Sequence, residues 1–358
     1  MAICIETPAG TDALTEFLLF HDEVYSYRTA RWTTIVPFQL AILTGESPFA
    51  RDRVLRPFVA RDGGRIVARL LAAIDRHYQR HWNERLAHVL MFEAFPGTRD
   101  AVRLLVDAAC EWLAAQGAVA ARAGMGLLDS PFVVDDHETL PPTFVRQNPA
   151  YYQTLLKEAG FETERGLVDY RIAVRPDLVT RWESALEAAR RNGFEIVPLK
   201  DVPEPRRVVE FTELYNDAFK AHWGWIPFTE AEIAGVLEVL TPAGMLETSL
   251  IAYRDGLPVG VLWVIPDTSF LAALAPGRTL RGEEKVNFLG IGVHQSARGR
   301  GLNLAMAAHA YLELARRGYT HLSYTIVLDD NWPSRRTAEK LGARVCANYL
   351  VYRRNFRC

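Results

Sequence analysis

Residues 301–315 read as a helix that is apolar on nearly every side: Leu302, Leu304, Ala305, Met306, Ala308, Leu312, Leu314 and Ala315 leave little polar face for solvent. Such a helix has to be covered all round, so its neighbours must be core elements. Before it stands VNFLGIGVH (286–294), which reads as a buried strand, and after it YTHLSYTIVL (319–328), a second strand rich in β-formers. Arg316 and Arg317 fall in the last turn, where cations suit the helix dipole, and Gly318 suits the residue just past the end. The order is strand, glycine turn, buried helix, strand.

Asn331 then stands as an N-cap before Pro333, opening a helix that stops at Gly342, and the chain ends in the extended segment RVCANYLVYRR. Upstream, residues 249–267 read as a hairpin turning at Arg254-Asp255-Gly256, after two helical segments and a short strand at 194–199. The first half echoes this order. FVARDGGRIVARLLAAID (58–75) parallels IAYRDGLPVGVLWVIPD, and Asn148 precedes a helix stopping at Gly160 as Asn331 precedes the one stopping at Gly342. A chain of 358 residues exceeds what one core usually holds, so a duplicated module is expected, with domains at 1–175 and 176–358.

Composition narrows the functions. The formal net charge is −2, which argues against a general nucleic-acid binder, and no apolar run is long enough to span a bilayer. The N-terminal MAICIETPAG carries an acid and no basic region, so a cytoplasmic protein without a signal peptide is expected. Cys4, Cys110, Cys346 and Cys358 lie far apart, which suggests free thiols and no metal site.

The chemistry concentrates in QSARGRG (295–301). A strand that feeds a glycine turn into a helix start points several amides in one direction and adds the positive end of the helix dipole, a fit for pyrophosphate. The turn lacks the Walker Lys-Ser/Thr pair, and the Gly290-x-Gly292 pair has Gln295 where a dinucleotide fingerprint needs glycine. In the first half the corresponding turn is Phe-Pro-Gly-Thr-Arg-Asp, where Pro96 removes a donor and Asp100 adds negative charge, so that module is expected to hold no cofactor.

The segment VHQSARGRGLN, followed by a buried helix, a strand and NWPSRRTAEKLG, resembles the GCN5-related N-acetyltransferase (GNAT) superfamily over about residues 190–358. The whole chain looks like its tandem two-module members. The family loop is Arg/Gln-x-x-Gly-x-Gly/Ala; Arg298 and Gly301 match it and Asn303 departs. The resemblance implies an α/β fold, an α+β mixed sheet in which each of two GNAT-like modules has a mostly antiparallel sheet flanked by helices. It also implies an acyl-CoA-dependent acyltransferase moving an acetyl group from acetyl-CoA, or a longer acyl group from another acyl-CoA, to an amine of a small molecule. A non-catalytic acyl-CoA-binding or scaffold protein is the alternative.

The same resemblance assigns residues. Ile291 and Val293 would bond the pantetheine arm; Arg298, Gly299, Arg300, Gly301 and Asn303 would hold the pyrophosphate; Asn331 and Ser334 would face the far end. Gly290 and Gly292 suit either this slot or a closely packed neighbouring element. The usual tyrosine acid is Ala338 here, leaving Tyr324, Tyr349 or a water as substitutes, although a buried strand tyrosine also reads as a core residue. Glu284 stands where the family often places a base, and equally belongs to a charged turn with Arg281, Glu283 and Lys285, which is the commoner use of such a run. His294 and His222 are further base candidates. His222, Trp223, Trp225 and Phe228 read as an acceptor wall or as a core plug under a long loop.

Overall fold

The two Arg-Asp-Gly signals close hairpins, as their turn chemistry requires: Asp62 ends one strand before Gly63 and Gly64 (φ +56° and +84°), and Arg254 ends another before Asp255 and Gly256 (φ +52° and +74°). In the computed structural model, which describes residues 2–127, 129–266 and 269–356, the first half contributes β1 (Cys4–Glu6), β2 (Arg53–Asp62), β3 (Arg65–Asp75), α1 (Arg76–Trp82) and β4 (Leu86–Ala94). Then come α2 (Arg99–Ala115), β5 (Ala120–Ala123), α3 (Tyr152–Glu158) and β6 (Glu162–Ala173). The second half runs β7 (Phe194–Pro198), α4 (Glu204–Phe219), β8 (Leu250–Arg254), β9 (Leu257–Ile265), β10 (Phe288–Val293), α5 (Leu302–Arg316), β11 (His321–Leu328), α6 (Trp332–Lys340) and β12 (Arg344–Asn355), and from the hairpin onward both halves share strand, helix, strand, helix, strand. Cys358 and the hairpin residue Asp267 lie outside the described residues.

Sheet pairing adds what element order does not contain. The main sheet runs β1-β2-β3-β4-β5-β12-β6-β11, antiparallel except for β4 beside β5, with a short strand at Phe132–Val133 against β12. A second sheet runs β10-β9-β8-β7. Each half therefore gives its last strand to the other: β12 pairs with β5 of the first half, and β6 pairs with β11 of the second. β12 and β6 also pair with each other, so one sheet passes through both modules. Tyr352 of β12 accordingly packs in the first module's core, and Tyr170 of β6 in the second's.

As its apolar surface demands, α5 is buried: Ala305, Met306, Ala308 and Tyr311 are closed from solvent against Leu322, Leu250 and Trp182. Each large side chain so buried contributes about 1.5–3 kcal/mol. The helix fixes β10 at its N-terminal side and β11 at its C-terminal side, which sets the geometry of the gap between them. No helix among the described residues is long and apolar enough to cross a membrane.

Candidate functional site

The strands β10 and β11 are pinned at one end and open at the other. Buried Asn287 accepts from the Ser323 amide at Oδ1 (3.1 Å) and donates from Nδ2 to the Ser323 carbonyl (3.3 Å), while the Ser323 hydroxyl donates to the Asn287 carbonyl. Tyr311 of α5 donates its hydroxyl to the same Ser323 carbonyl. Beyond this vertex, among the described residues, β10 pairs only with β9, and β11 only with β6. The strands diverge around a cleft of about 660 Å³. Sequence reading missed Asn287; its signal was a lone amide at the entry of an apolar strand.

Ile291 and Val293 line the cleft. Gly290 and Gly292 line it too, and they serve close packing of α4: a Cβ on Gly292 would come within 2.6 Å of the Ala218 methyl, and one on Gly290 would meet the Tyr215 hydroxyl. Of the two readings open for these glycines, close packing is the one for which there is direct geometry.

At the open end, the turn feeds α5 without a side-chain cap. Gly299 and Gly301 take φ +75° and +78°, and nothing lies within 4 Å of where their Cβ atoms would be. Among the described residues, no backbone acceptor meets the amides of Gly299 through Asn303. Five donors at a helix N-terminus with open space before them form a cradle for an anion. Arg298 is exposed, and its Nε donates to the Val293 carbonyl (3.1 Å), tying the turn to the strand end. Arg300 stands outside the cleft lining, near Arg254 and Arg191. Asn303, the departure from the family pattern, has a structural use: its Nδ2 donates to Thr337 Oγ1 (2.8 Å), linking α5 to α6.

On the opposite wall, Asn331 caps α6 by accepting the Ser334 amide (3.3 Å), and the Ser334 hydroxyl lies 3.0 Å from that of Tyr324. All three residues line the cleft. Burial raises the Tyr324 pKa above the ordinary phenol value, which keeps it protonated and able to donate. Ala338 is fully buried in the core with α5 and β11, so its position offers no side-chain proton donor.

The segment after α4 supplies a third wall. His222, Trp223 and Trp225 line the cleft, whereas Phe228 stands behind them against Tyr215, Trp225 and Trp263. Burial lowers the His222 pKa, favouring the neutral imidazole. The first module holds this segment in place: Trp82 Nε1 donates to the Trp225 carbonyl (2.8 Å), His81 Nε2 meets the Lys220 carbonyl (2.6 Å), and the Arg122 guanidinium sits 4.4 Å from the Trp223 ring centre. Met125, also from the first half, lines the cleft itself.

Two expected catalytic residues are placed elsewhere. Glu284 is buried outside the cleft lining, held by Arg278 at 2.6 Å and by the Arg281 amide at 2.9 Å. Burial works against its ionisation, but these donors outweigh it and hold the carboxyl below the ordinary value. A carboxylate so committed is a turn-closing group and a poor base. Tyr349 lies on β12, buried beside Val133 and Leu167, with burial and the nearby Asp169 charge pushing its pKa well up. His294 sits at the strand end, its Nδ1 2.8 Å from the Ser296 hydroxyl, outside the lining.

In the first module, the equivalent slot is filled by the chain itself. Beyond the pairing of Leu86–Val89 with Ala120–Ala123, the backbone of β4 is met by side chains: Arg146 Nη1 donates to the Phe92 carbonyl (2.8 Å), Tyr152 accepts the Ala94 amide (2.8 Å), and Tyr151 donates to the Ala94 carbonyl (2.7 Å). Glu93, Asp129 and Tyr25 complete a buried network around Arg146. The backbone groups that remain open in one module are consumed in the other.

Residues 208–343 match the acetyltransferase (GNAT) family profile. The chain is 24% identical over 334 residues to the bacterial ceramide synthase of Caulobacter vibrioides, covering 87% of this chain and 86% of that protein. Among solved structures, it resembles the GCN5-related glucosamine N-acetyltransferase region of a fungal multi-domain beta-N-acetylglucosaminidase (TM-score 0.60, 17% identity), covering 98% of this chain and spanning 38% of that one. It also resembles a tandem GNAT protein from the clavulanic acid biosynthesis pathway (TM-score 0.59, 14% identity), with 99% and 98% covered. These structural likenesses concern the fold.

Proposed function

We propose that this chain, a tandem protein of the GNAT superfamily, is an acyl-CoA-dependent N-acyltransferase whose second module carries the reaction. The observation that carries the reading is the pinned, splayed pair β10 and β11, opening onto five amides without backbone acceptors at the start of α5. The acyl-CoA supplies an activated thioester. The residues present suit it: open amides for the pyrophosphate, an apolar slot beside Ile291 and Val293, and a protonated hydroxyl at Tyr324.

The amine of the acceptor attacks the thioester carbonyl, the C–S bond breaks, and the thiolate takes a proton from the side where Tyr324 stands. Ser334 orients the Tyr324 hydroxyl, replacing the acid absent at Ala338. The acceptor enters along His222, Trp223 and Trp225. The filled slot of the first module supports reading it as a prop for the acceptor wall that takes no acyl-CoA of its own.

The smallest form of this reaction moves acetyl to a small amine. A longer acyl chain is the second reading, favoured by the apolar side chains Met125, Trp223, Phe288 and Ile326 around the cleft and by the similarity to a bacterial ceramide synthase. Thiol release measured over acyl-CoAs from two to sixteen carbons, each against small amines and long-chain amino alcohols, separates the two. Turnover is expected with at least one pair; acyl-CoA that binds without turnover against every amine would support the non-catalytic alternative.

A further inference from the structure

We propose that His222 is the base of the reaction, its Nε2 taking the proton that the acceptor amine must lose, and that α1 of the first module holds this imidazole in place. The proposal rests on the acyltransferase reading above and supplies the group which that reading leaves unnamed.

The lining of the cleft narrows the choice. Among the described residues that form it, none carries a carboxylate. Arg298 keeps its charge at any ordinary pH, and burial raises the phenols of Tyr215 and Tyr324, so both hold their protons. His222 is then the lining residue with a lone pair able to take up a proton near neutral pH.

Its two ring nitrogens have separate duties. Nδ1 stands 3.1 Å from the Trp223 carbonyl, an oxygen that can only accept, so Nδ1 carries the hydrogen and Nε2 the lone pair. Nε2 meets no partner among the described residues and is not closed from solvent, His222 being half-buried. The ring packs 5.6 Å from that of Phe219, whose Cε2 lies 3.3 Å from where a Cβ on Gly292 would stand. Gly292 separates Ile291 from Val293, so the imidazole stands beside the stretch of β10 along which the thioester arm would lie. Tyr324 belongs to a different wall, which gives the amine's proton and the thiolate's proton separate handlers.

The charged groups that face His222 are Arg165 on β6 and Asp330 before α6, paired with each other at 2.6 Å. On its own segment Asp217 and Lys220 pair at 2.6 Å, and Arg122 of β5, against Trp223, is committed to Glu164 at 2.7 Å. Burial lowers the His222 pKa, the Trp223 carbonyl opposes this, and Arg165 and Asp330 pull in opposite directions. The neutral form that can accept a proton therefore predominates at neutral pH.

The first module fastens the segment on both sides of this ring. Upstream, His81 Nε2 donates to the Lys220 carbonyl (2.6 Å); downstream, Trp82 Nε1 donates to the Trp225 carbonyl (2.8 Å). Two adjacent residues of α1 thus bracket the imidazole, and the second module on its own lacks both contacts. His81 and Trp82 are positioning residues, whereas His222 touches the amine.

The step balances. The neutral amine nitrogen forms the C–N bond at the thioester carbonyl carbon, and its proton passes to His222 Nε2, leaving an imidazolium. The C–S bond breaks with its electron pair on sulfur, and the thiolate takes a proton from Tyr324. The imidazolium returns its proton through solvent to the Tyr324 phenolate, so both groups end as they began.

The test uses the full chain and begins with a readout that needs no turnover. The nitrogen NMR spectrum of histidine-labelled protein near pH 7, with the signal assigned by its loss in His222→Gln or His222→Ala, is expected to show Nδ1 protonated and Nε2 bare. A proton on Nε2 overturns the proposal. In kinetics, kcat/KM for the amine is expected to rise with pH through a limb below the ordinary histidine value of about 6.5, apart from the limb set by the amine's own ionisation. His222→Gln is expected to lose the lower limb and about 100-fold in kcat, with acyl-CoA affinity by calorimetry unchanged. Added imidazole is expected to restore part of the turnover of His222→Ala, which lost packing alone does not allow. Trp82→Phe keeps the base and is expected to lower kcat several-fold with KM for acyl-CoA unchanged; an unaltered kcat overturns the first module's share. A lower limb that persists in His222→Gln, or the absence of imidazole rescue, overturns the base and leaves the acyltransferase reading intact. Absence of turnover by wild type with every acyl-CoA and amine overturns both.

Discussion

At Gly301 the left-handed backbone and the open space before it have separate consequences. Gly301→Ala meets no atom, so it costs the left-handed strain alone, about 1 kcal/mol of stability by thermal melt, and leaves acyl-CoA affinity within a few-fold. Gly301→Glu adds a negative charge where the amides converge. Tyr324→Phe removes the hydroxyl that Ser334 orients; it is expected to lower kcat about 10- to 100-fold while acyl-CoA affinity stays within two-fold, measured by steady-state kinetics and calorimetry. Asp169 adds a stability signature. Its folded-state carboxyl is raised to about 6, so the folded state holds more protons than the unfolded one between the ordinary value and 6, and stability falls as pH rises through that window. Asp169→Asn is therefore expected to flatten the dependence of the melting temperature on pH between 4 and 6. Asn331, Ser334 and the turn were legible because each acts within its own segment. Glu284 is also held within its own segment, by Arg278 and the Arg281 amide, in keeping with the charged turn that its neighbours suggested.

Among the elements, strand, turn, buried helix and strand fell where periodicity put them, since the apolar surface of α5 admits one kind of environment. What periodicity does not carry is the vertex. Asn287 and Ser323 lie 36 positions apart, and their mutual hydrogen bonds decide where β10 leaves β11. Asn287→Ala leaves buried Ser323 groups without partners and is expected to cost about 2 kcal/mol, seen as a lower denaturant midpoint, with acyl-CoA affinity reduced as the splay loses its origin. The glycines of β10 were open to two readings, a ligand slot or close packing; they line the cleft and also seat α4.

For the molecule as a whole, the exchange of β6 and β12 was invisible in the sequence, because a module that keeps its last strand and one that gives it away have the same element order. The duplication was visible in the repeated hairpins and in the Asn148 and Asn331 segments, yet the two halves are interlocked through a shared sheet. Residues 176–358 expressed alone lack the strand that pairs with β11, and are expected to be insoluble or aggregated; co-expression with residues 1–175 is expected to restore a soluble one-to-one complex, read by size-exclusion chromatography. The exchange also gives the first module a reason to persist without an open slot, since it supplies Met125 to its partner's cleft and Trp82 behind the cleft's third wall. The most direct measurement is calorimetric titration of acetyl-CoA and palmitoyl-CoA into wild type and Gly301→Glu. At least one of the two is expected to bind with one equivalent per wild-type chain, with affinity lowered ten-fold or more by the substitution. Two equivalents per chain, no binding of either, or equal affinity in the variant would contradict that expectation.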